Sequence, residues 1–281
     1  MLRKAAVAGR FYPSQPDRLR RDLEAHLGPP RARRQARGVV VPHAGYFYSG
    51  GVAGAVFSGI EIPARVLILC PNHTGLGASL SIMSQGEWEI PLGRIPIDEA
   101  LARSLLHHCP YLTEDAEAHR FEHSLEVQLP FLLHLRPDLR LVPIALGRHD
   151  FPAFQRLGKG IAKALRDLPG QPVLVVASSD MNHFEPDAVT RVKDGKAISR
   201  ILSLDAPGLY EVVRKESISM CGYGPTIAMM YGTEASARTC RAELVRYATS
   251  GDAGGGRSEV VGYAGIAIYP KTAGAGGRMP R

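Results

Sequence analysis

Two hydropathy patterns alternate along this chain: short unbroken runs of β-branched and aliphatic residues, and longer stretches with apolar positions recurring every three to four residues. The first kind reads as buried strands, the second as helices. Residues 39–41, 65–69, 139–144 and 172–177 are buried runs. Between them, Leu19, Leu23 and Leu27 form an i, i+4, i+8 stripe that begins near Ser14 and Asp17 and stops at Gly28-Pro29-Pro30. Residues 51–57 read as a small-residue helix, and Asp98 as the N-cap of a helix carrying Leu101 and Leu105. Residues 122–132 read as one helix with an apolar face of Leu125, Leu129 and Leu132. Further helices are expected over 151–168, 187–204, 207–215 and 226–235, the last opening after a tight turn at 219–225. Residues 78–83 and 87–90, split by Ser84-Gln85-Gly86, suit a hairpin or two short strands, with Trp88 against the core. Residues 241–249 and 259–269 alternate in hydrophobicity and pair across the glycine-rich loop 251–256.

This alternation predicts α/β architecture: one doubly wound, three-layer α/β/α domain over residues 1–270, with a mixed central sheet of about six to eight strands. Residues 271–281, rich in Gly, Ala and Pro, have little to bury and are expected to be disordered. There is no internal repeat. No apolar run approaches the roughly 20 residues of a membrane span, and the N-terminus lacks the apolar region of a secretory signal, so a cytoplasmic location is expected. The net charge of +7 comes from scattered arginine, densest at Arg31, Arg33, Arg34 and Arg37 in a Pro-containing connector. Without aromatic residues interleaved to stack bases, nucleic acid is not the expected partner. Four cysteines, Cys70, Cys109, Cys221 and Cys240, lack C-x-x-C spacing, which removes zinc-ribbon and thioredoxin-type readings.

The candidate chemistry lies where the buried runs end. Val39–Val41 delivers His43, the run ending at Leu69 delivers His73, and the run ending at Ala177 delivers Asp180 and His183. Open α/β sheets place their sites at strand carboxyl ends, and imidazole both binds metals and titrates near neutrality. His43 and His73 converge if their strands are neighbours. Cys221, in a turn with Gly222 and Gly224, is a candidate third donor or else a small core residue. The dipole of the expected helix accounts for Glu122 and Glu126 near its start, though not for His123. His107, His108 and His119 read as exposed loop residues. No P-loop or Gly-x-Gly-x-x-Gly is present, so no nucleotide cofactor is expected.

Five motifs in register carry a resemblance: Val-Pro-His43-Ala-Gly-Tyr-Phe-Tyr-Ser-Gly, Cys-Pro-Asn-His73-Thr-Gly, Glu-His123-Ser-Leu-Glu-Val-Gln-Leu-Pro, Ser-Ser-Asp180-Met-Asn-His183 and Met-Cys221-Gly-Tyr-Gly-Pro. Together they resemble the signatures of the MEMO family, across roughly residues 5–270. The opening Gly-Arg-Phe-Tyr-Pro is similar to the prokaryotic branch, with Phe11 in place of the tryptophan of animal members. Cys70 stands where glycine is more usual. The resemblance implies a fold like that of the class III extradiol dioxygenases, with His43, His73 and Cys221 as metal ligands. Asp180, His183 and His123 would line the pocket around them, His183 as acid/base and Asp180 orienting it. A thiolate in place of the dioxygenases' carboxylate favours copper(I), zinc or thiolate-ligated iron.

Three functions are compatible with these residues. The leading one is a redox, oxygenase-like protein using Fe(II), or else copper or zinc, on a small-molecule or peptide substrate. The second is a binding or adaptor protein using the same pocket without chemistry. The third is a zinc hydrolase. The resemblance also implies a pathway link to radical-SAM and AMMECR1-like proteins.

Overall fold

The computed structural model describes residues 1–235, 238–254 and 256–271. The chain opens with a short strand β1 (Leu2–Arg3), helix α1 (Pro16–Leu27), strand β2 (Gly38–Val41), helix α2 (Tyr46–Ser58) and strand β3 (Arg65–Pro71). Three short strands follow, β4 (Leu80–Ile82), β5 (Glu87–Ile90) and β6 (Gly93–Pro96), then α3 (Glu99–His108) and β7 (Thr113–Glu114). Next come α4 (His123–Glu126), α5 (Leu129–Leu135), β8 (Arg140–Leu146), α6 (Phe151–Arg166), β9 (Val173–Ser178) and β10 (His183–Glu185). The chain continues through α7 (Asp187–Leu202), α8 (Ala206–Lys215), α9 (Tyr223–Gly232), β11 (Cys240–Thr249) and β12 (Val260–Pro270).

The main sheet runs β10-β12-β2-β9-β3-β8-β4-β7, with β11 also paired to β12. Its centre, β2-β9-β3-β8, is parallel, while β12 and β4 join antiparallel on either side. Val39–Val41, Val66–Leu69 and Leu174–Ala177 have no exposed surface, as expected of parallel strands covered on both faces. One helical group, α1, α2 and α5, packs together, and a second is formed by α3, α6, α8 and α9. The α/β class and mixed sheet expected from the hydropathy pattern are therefore observed. Helix α2 is apolar nearly all round and buries most of its length, as its position against β2, β11 and β12 requires.

Several local expectations are corrected. Among the described residues the main sheet has nine strands rather than six to eight, because short edge strands with little pattern of their own join it. Of the hairpin and the two short strands left open for residues 78–83 and 87–90, the second is observed, as β4 and β5. Gly86, at φ +101°, turns the chain into a separate three-stranded sheet, β1-β5-β6. Residues 122–132 are two helices, not one. Pro130 has no N–H to offer the Glu126 carbonyl, so the helix breaks and restarts with proline in the first turn of α5. Strands β2 and β3 are not neighbours; β9 lies between them. Glycine-punctuated Tyr46 and Tyr223 already lie inside α2 and α9, which begin five and three residues earlier than expected.

His119 is a further correction. It is fully buried, its ring edge-on to Trp88 and its Nε2 3.3 Å from Ser81 Oγ. Burial, with Arg3 nearby, lowers its pKa to about 4. Polar surroundings in the sequence gave no hint that a neutral imidazole would fill this gap. Lys271 donates its N–H to the Thr239 carbonyl; the rest of the expected disordered tail lies outside the described residues. No helix among these residues is long and apolar enough to cross a membrane.

Candidate metal centre

Because β2, β9 and β3 are parallel, the segments leaving them emerge on one side of the sheet. His43 follows β2, His73 follows β3, and Asp180 and His183 follow β9. Opposite them, α4 begins with His123. His43, His73 and His123 each offer a ring nitrogen, all within 4.8 Å of one another. Their ring centroids are 4.7 to 5.5 Å apart, with His73 and His123 stacked. His43 is 2% exposed, His123 half-buried and His73 open to solvent. Cys221 Sγ lies 3.3 Å from His43 Nε2. His123, expected beside the metal rather than on it, is the third member of this group, while Cys221, expected as the third ligand, is placed here by its contact with His43.

The hydrogen bonds around the rings settle their tautomers. Ser178 donates its hydroxyl proton to the Ser124 carbonyl at 2.6 Å and accepts from Gln128 Nε2 at 2.9 Å. Its oxygen, 2.9 Å from His43 Nδ1, must then accept a proton from that nitrogen, which leaves the Nε2 lone pair facing Cys221. At His73, Nδ1 lies 3.0 Å from Glu122 Oε1 while its backbone N–H donates to Glu122 Oε2 at 2.6 Å. Ser124 donates to the same carboxylate from both its N–H and its hydroxyl. Burial would raise the Glu122 pKa, but these donors outweigh it and hold the carboxyl at about 2. Glu122 is therefore an anion that receives the His73 Nδ1 proton and leaves Nε2 as the nitrogen on offer to a metal. His123 Nδ1 is 3.4 Å from Glu122 Oε1. His183 donates from Nδ1 to the Ser219 carbonyl at 2.9 Å.

Burial lowers the pKa of His43, His123 and His183, most strongly at His43. Neutral imidazoles with a fixed Nδ1 proton are the form in which histidine binds a metal. Burial also raises the Cys221 thiol pKa, with Asp180 adding to the effect. The dipole of α9 therefore does not by itself produce a thiolate here. Asp180 does not orient His183, contrary to expectation. Its Oδ1 accepts from the His43 backbone N–H at 2.7 Å, and Oδ2 is 4.0 Å from His43 Nε2. Burial lifts its pKa to about 7 against the donors from His43 and Ala44. Ser219 holds His183 instead, through both the backbone N–H and the ring.

Close backbone packing brings Cys221 in. A Cβ on Gly222 would collide with the Ser178 carbonyl and the Ser179 side chain, so only glycine lets this turn lie against the end of β9. The Gly-Arg-Phe-Tyr-Pro segment reaches the site: the Phe11 ring is 4.8 Å from the His123 ring. Tyr12 donates to Glu126 at 2.6 Å. Cys70 is buried in the core.

Sequence reasoning missed Glu122, Ser178, Gln128 and Ser219. For Glu122 a signal existed, since a carboxylate beside one histidine is a natural acceptor for another's Nδ1 proton. Glu126, assigned to a helix dipole, is a buried partner of Arg3.

The fold and site define an α/β protein with a histidine-rich pocket at the carboxyl ends of its parallel strands, able to hold a metal. Comparison with known proteins takes the assignment one step further. Residues 3–267 match the family model described as Memo-like protein, and the chain belongs to that family. A MEMO1 family protein of Pyrobaculum arsenaticum is 42% identical over 280 residues, covering 95% of this chain and 99% of the relative. One from Ignicoccus hospitalis is 43% identical over 282 residues (95% and 98%), and one from Methanothermobacter thermautotrophicus 39% over 276 (94% and 99%). Among solved structures, an uncharacterized protein from Escherichia coli K12 superposes with a TM-score of 0.58 at 13% identity, over 83% of this chain and 99% of that one. That likeness concerns the fold alone.

Proposed function

We propose that the pocket binds a redox-active transition metal through His43, His73 and Cys221, with His123 in reach as a further nitrogen donor, and that the protein is a metal-dependent, oxygenase-like redox protein. The observation that carries this reading is the set of converging imidazoles, two of them with the Nδ1 proton committed and Nε2 free. The Cys221–His43 separation supports the same reading. Two donors on one metal, with bonds of about 2.0–2.1 Å to nitrogen and 2.3 Å to sulfur, sit roughly 3.3–3.6 Å apart. The donor set, with imidazoles and a soft sulfur, fits iron(II) first, and copper or zinc as well.

Iron or copper, when bound, would supply one-electron chemistry and open positions for oxygen. The chain's own residues would do the rest. Glu122 keeps the His73 ring oriented through its Nδ1. Ser178, fixed by Gln128 and Ser124, does the same for His43. Asp180, whose Oδ1 is occupied by the His43 N–H, would hold a proton on Oδ2 near neutral pH. His183, with Nδ1 bonded to Ser219, presents Nε2 as an acid or base at the rim. The substrate is a small molecule or peptide, and the link to radical-SAM and AMMECR1-like proteins belongs to the same proposal.

Elemental analysis of anaerobically purified protein tests this. About one iron or copper per chain is expected, lost in His43→Ala and Cys221→Ser. Stoichiometric zinc would shift the reading to hydrolysis, and no metal in any preparation would leave a binding protein.

A further inference from the structure

Beside the histidine cluster lies a cavity of about 790 Å³, within the usual size of a small-molecule site. His73 and Cys221 form part of its wall. The lining includes two arginines, Arg148 after β8 and Arg214 on α8, and no carboxylate. Both side chains are exposed, Arg214 hydrogen-bonds the Tyr223 side chain, and neither arginine has an ion-pair partner among the described residues. Both stand close enough to Tyr223 to oppose electrostatically the rise that burial imposes on its phenol. The Arg214 guanidinium is also 5.9 Å from the Tyr210 ring centroid. The first turn of α9, at Tyr223 and Gly224, completes this wall and adds the positive end of a helix dipole. The remaining lining combines apolar Phe154, Val213, Ile218 and Met220 with polar Asn72, Ser217 and Ser219.

From the two guanidiniums without an ion-pair partner, the absent carboxylates and the apolar part of the wall, we infer that this cavity is the substrate chamber and takes a small organic oxyanion, a carboxylate or phosphate on an apolar body, held by Arg148 and Arg214. The inference deepens the metal-site reading, on which it rests for the word substrate; the binding itself does not need the metal. With its charged end at the two arginines, such a ligand would lie with its body along Phe154 and Met220 toward His73 and Cys221. Guanidinium forks match either oxyanion in a bidentate manner.

The test is ligand-observed NMR titration of the full chain, as purified and after chelation, with phenylacetate, phenyl phosphate and neutral phenylacetamide. At least one of the two anions should bind about tenfold more tightly than the amide, and the stronger one names the headgroup. Arg148→Gln and Arg214→Gln should each weaken that anion several-fold, the double variant abolishing its advantage, with metal content unaltered. Equal binding of anions and amide, no binding of any probe, or an anion preference that survives the double variant would overturn the inference. Charge discrimination that persists after chelation, in a protein shown to carry no metal, would retain the anion chamber and sink the redox reading alone.

Discussion

Glu122 holds much of the histidine cluster in place. Its carboxylate receives the backbone and ring of His73 and both donors of Ser124, and lies 3.4 Å from His123. Replacing it by glutamine keeps the shape but presents an amide N–H where an acceptor is required. Glu122→Gln should therefore lower metal affinity about 10–100-fold, measured by competition with a chromophoric chelator. The same variant has a pH signature. The folded carboxyl sits at about 2 against an ordinary 4.5, so the unfolded chain binds more protons between these values. Its stabilisation is fully present above about pH 4.5 and disappears as the pH falls toward 2. The shift corresponds to something on the order of 3 kcal/mol. Urea titrations from pH 5 down to 2.5 should show a shallower loss of stability in Glu122→Gln than in the parent.

At the scale of elements, two short segments hold the site in place, and neither is stable alone. Helix α4 is a single turn, and isolated helices of that length do not persist. Arg3 and Tyr12 clamp it through Glu126, which also accepts from the N–H groups of Ala6 and Val7. Arg3 further donates to the carbonyls of His119 and Glu122. Arg3→Met leaves a fully buried carboxylate without its cation, and should cost about 3–5 kcal/mol in chemical denaturation. A loss under 1 kcal/mol would mean that the backbone donors suffice. The second segment is the Cys221 turn. In Gly222→Ala the new methyl meets the backbone of Ser178, which cannot yield without moving β9. We expect a folded protein by circular dichroism with metal affinity reduced at least about tenfold, because Cys221 is pushed off His43.

For the whole molecule, the histidine cluster joins the segments after β2 and β3 to α4, with Cys221 of the turn before α9 against His43, so a metal there would tie together segments far apart in the chain. Anything that binds only the native state raises its stability by mass action, by about 2.7 kcal/mol at a hundredfold excess over Kd. In a domain of this size that is about 5 °C or more in melting temperature. Chelation should thus lower the Tm of the parent protein, measured by scanning calorimetry, and leave that of Cys221→Ser nearly unchanged. Equal shifts in both would place the metal elsewhere.

Much of this protein was legible before any coordinates. The buried runs 39–41, 65–69 and 172–177 could only be interior strands, because unbroken β-branched stretches have no solvent face. Their polar ends located His43, His73, Asp180 and His183, and the glycines around Cys221 marked a close approach. Strand order, however, was not written in local pattern. Whether β9 or β2 neighbours β3 depends on which crossovers bury the most surface, and the answer placed Ser178 between two histidine-bearing strands. Ring tautomers, the burial of Glu122, Glu126 and His119, and the exchange of Ser219 for Asp180 beside His183 were likewise decided only by tertiary structure. A carboxylate or imidazole has the same sequence neighbours whether solvated or buried; its state follows from donors and acceptors contributed by segments a hundred or more residues away, and only folding brings those together.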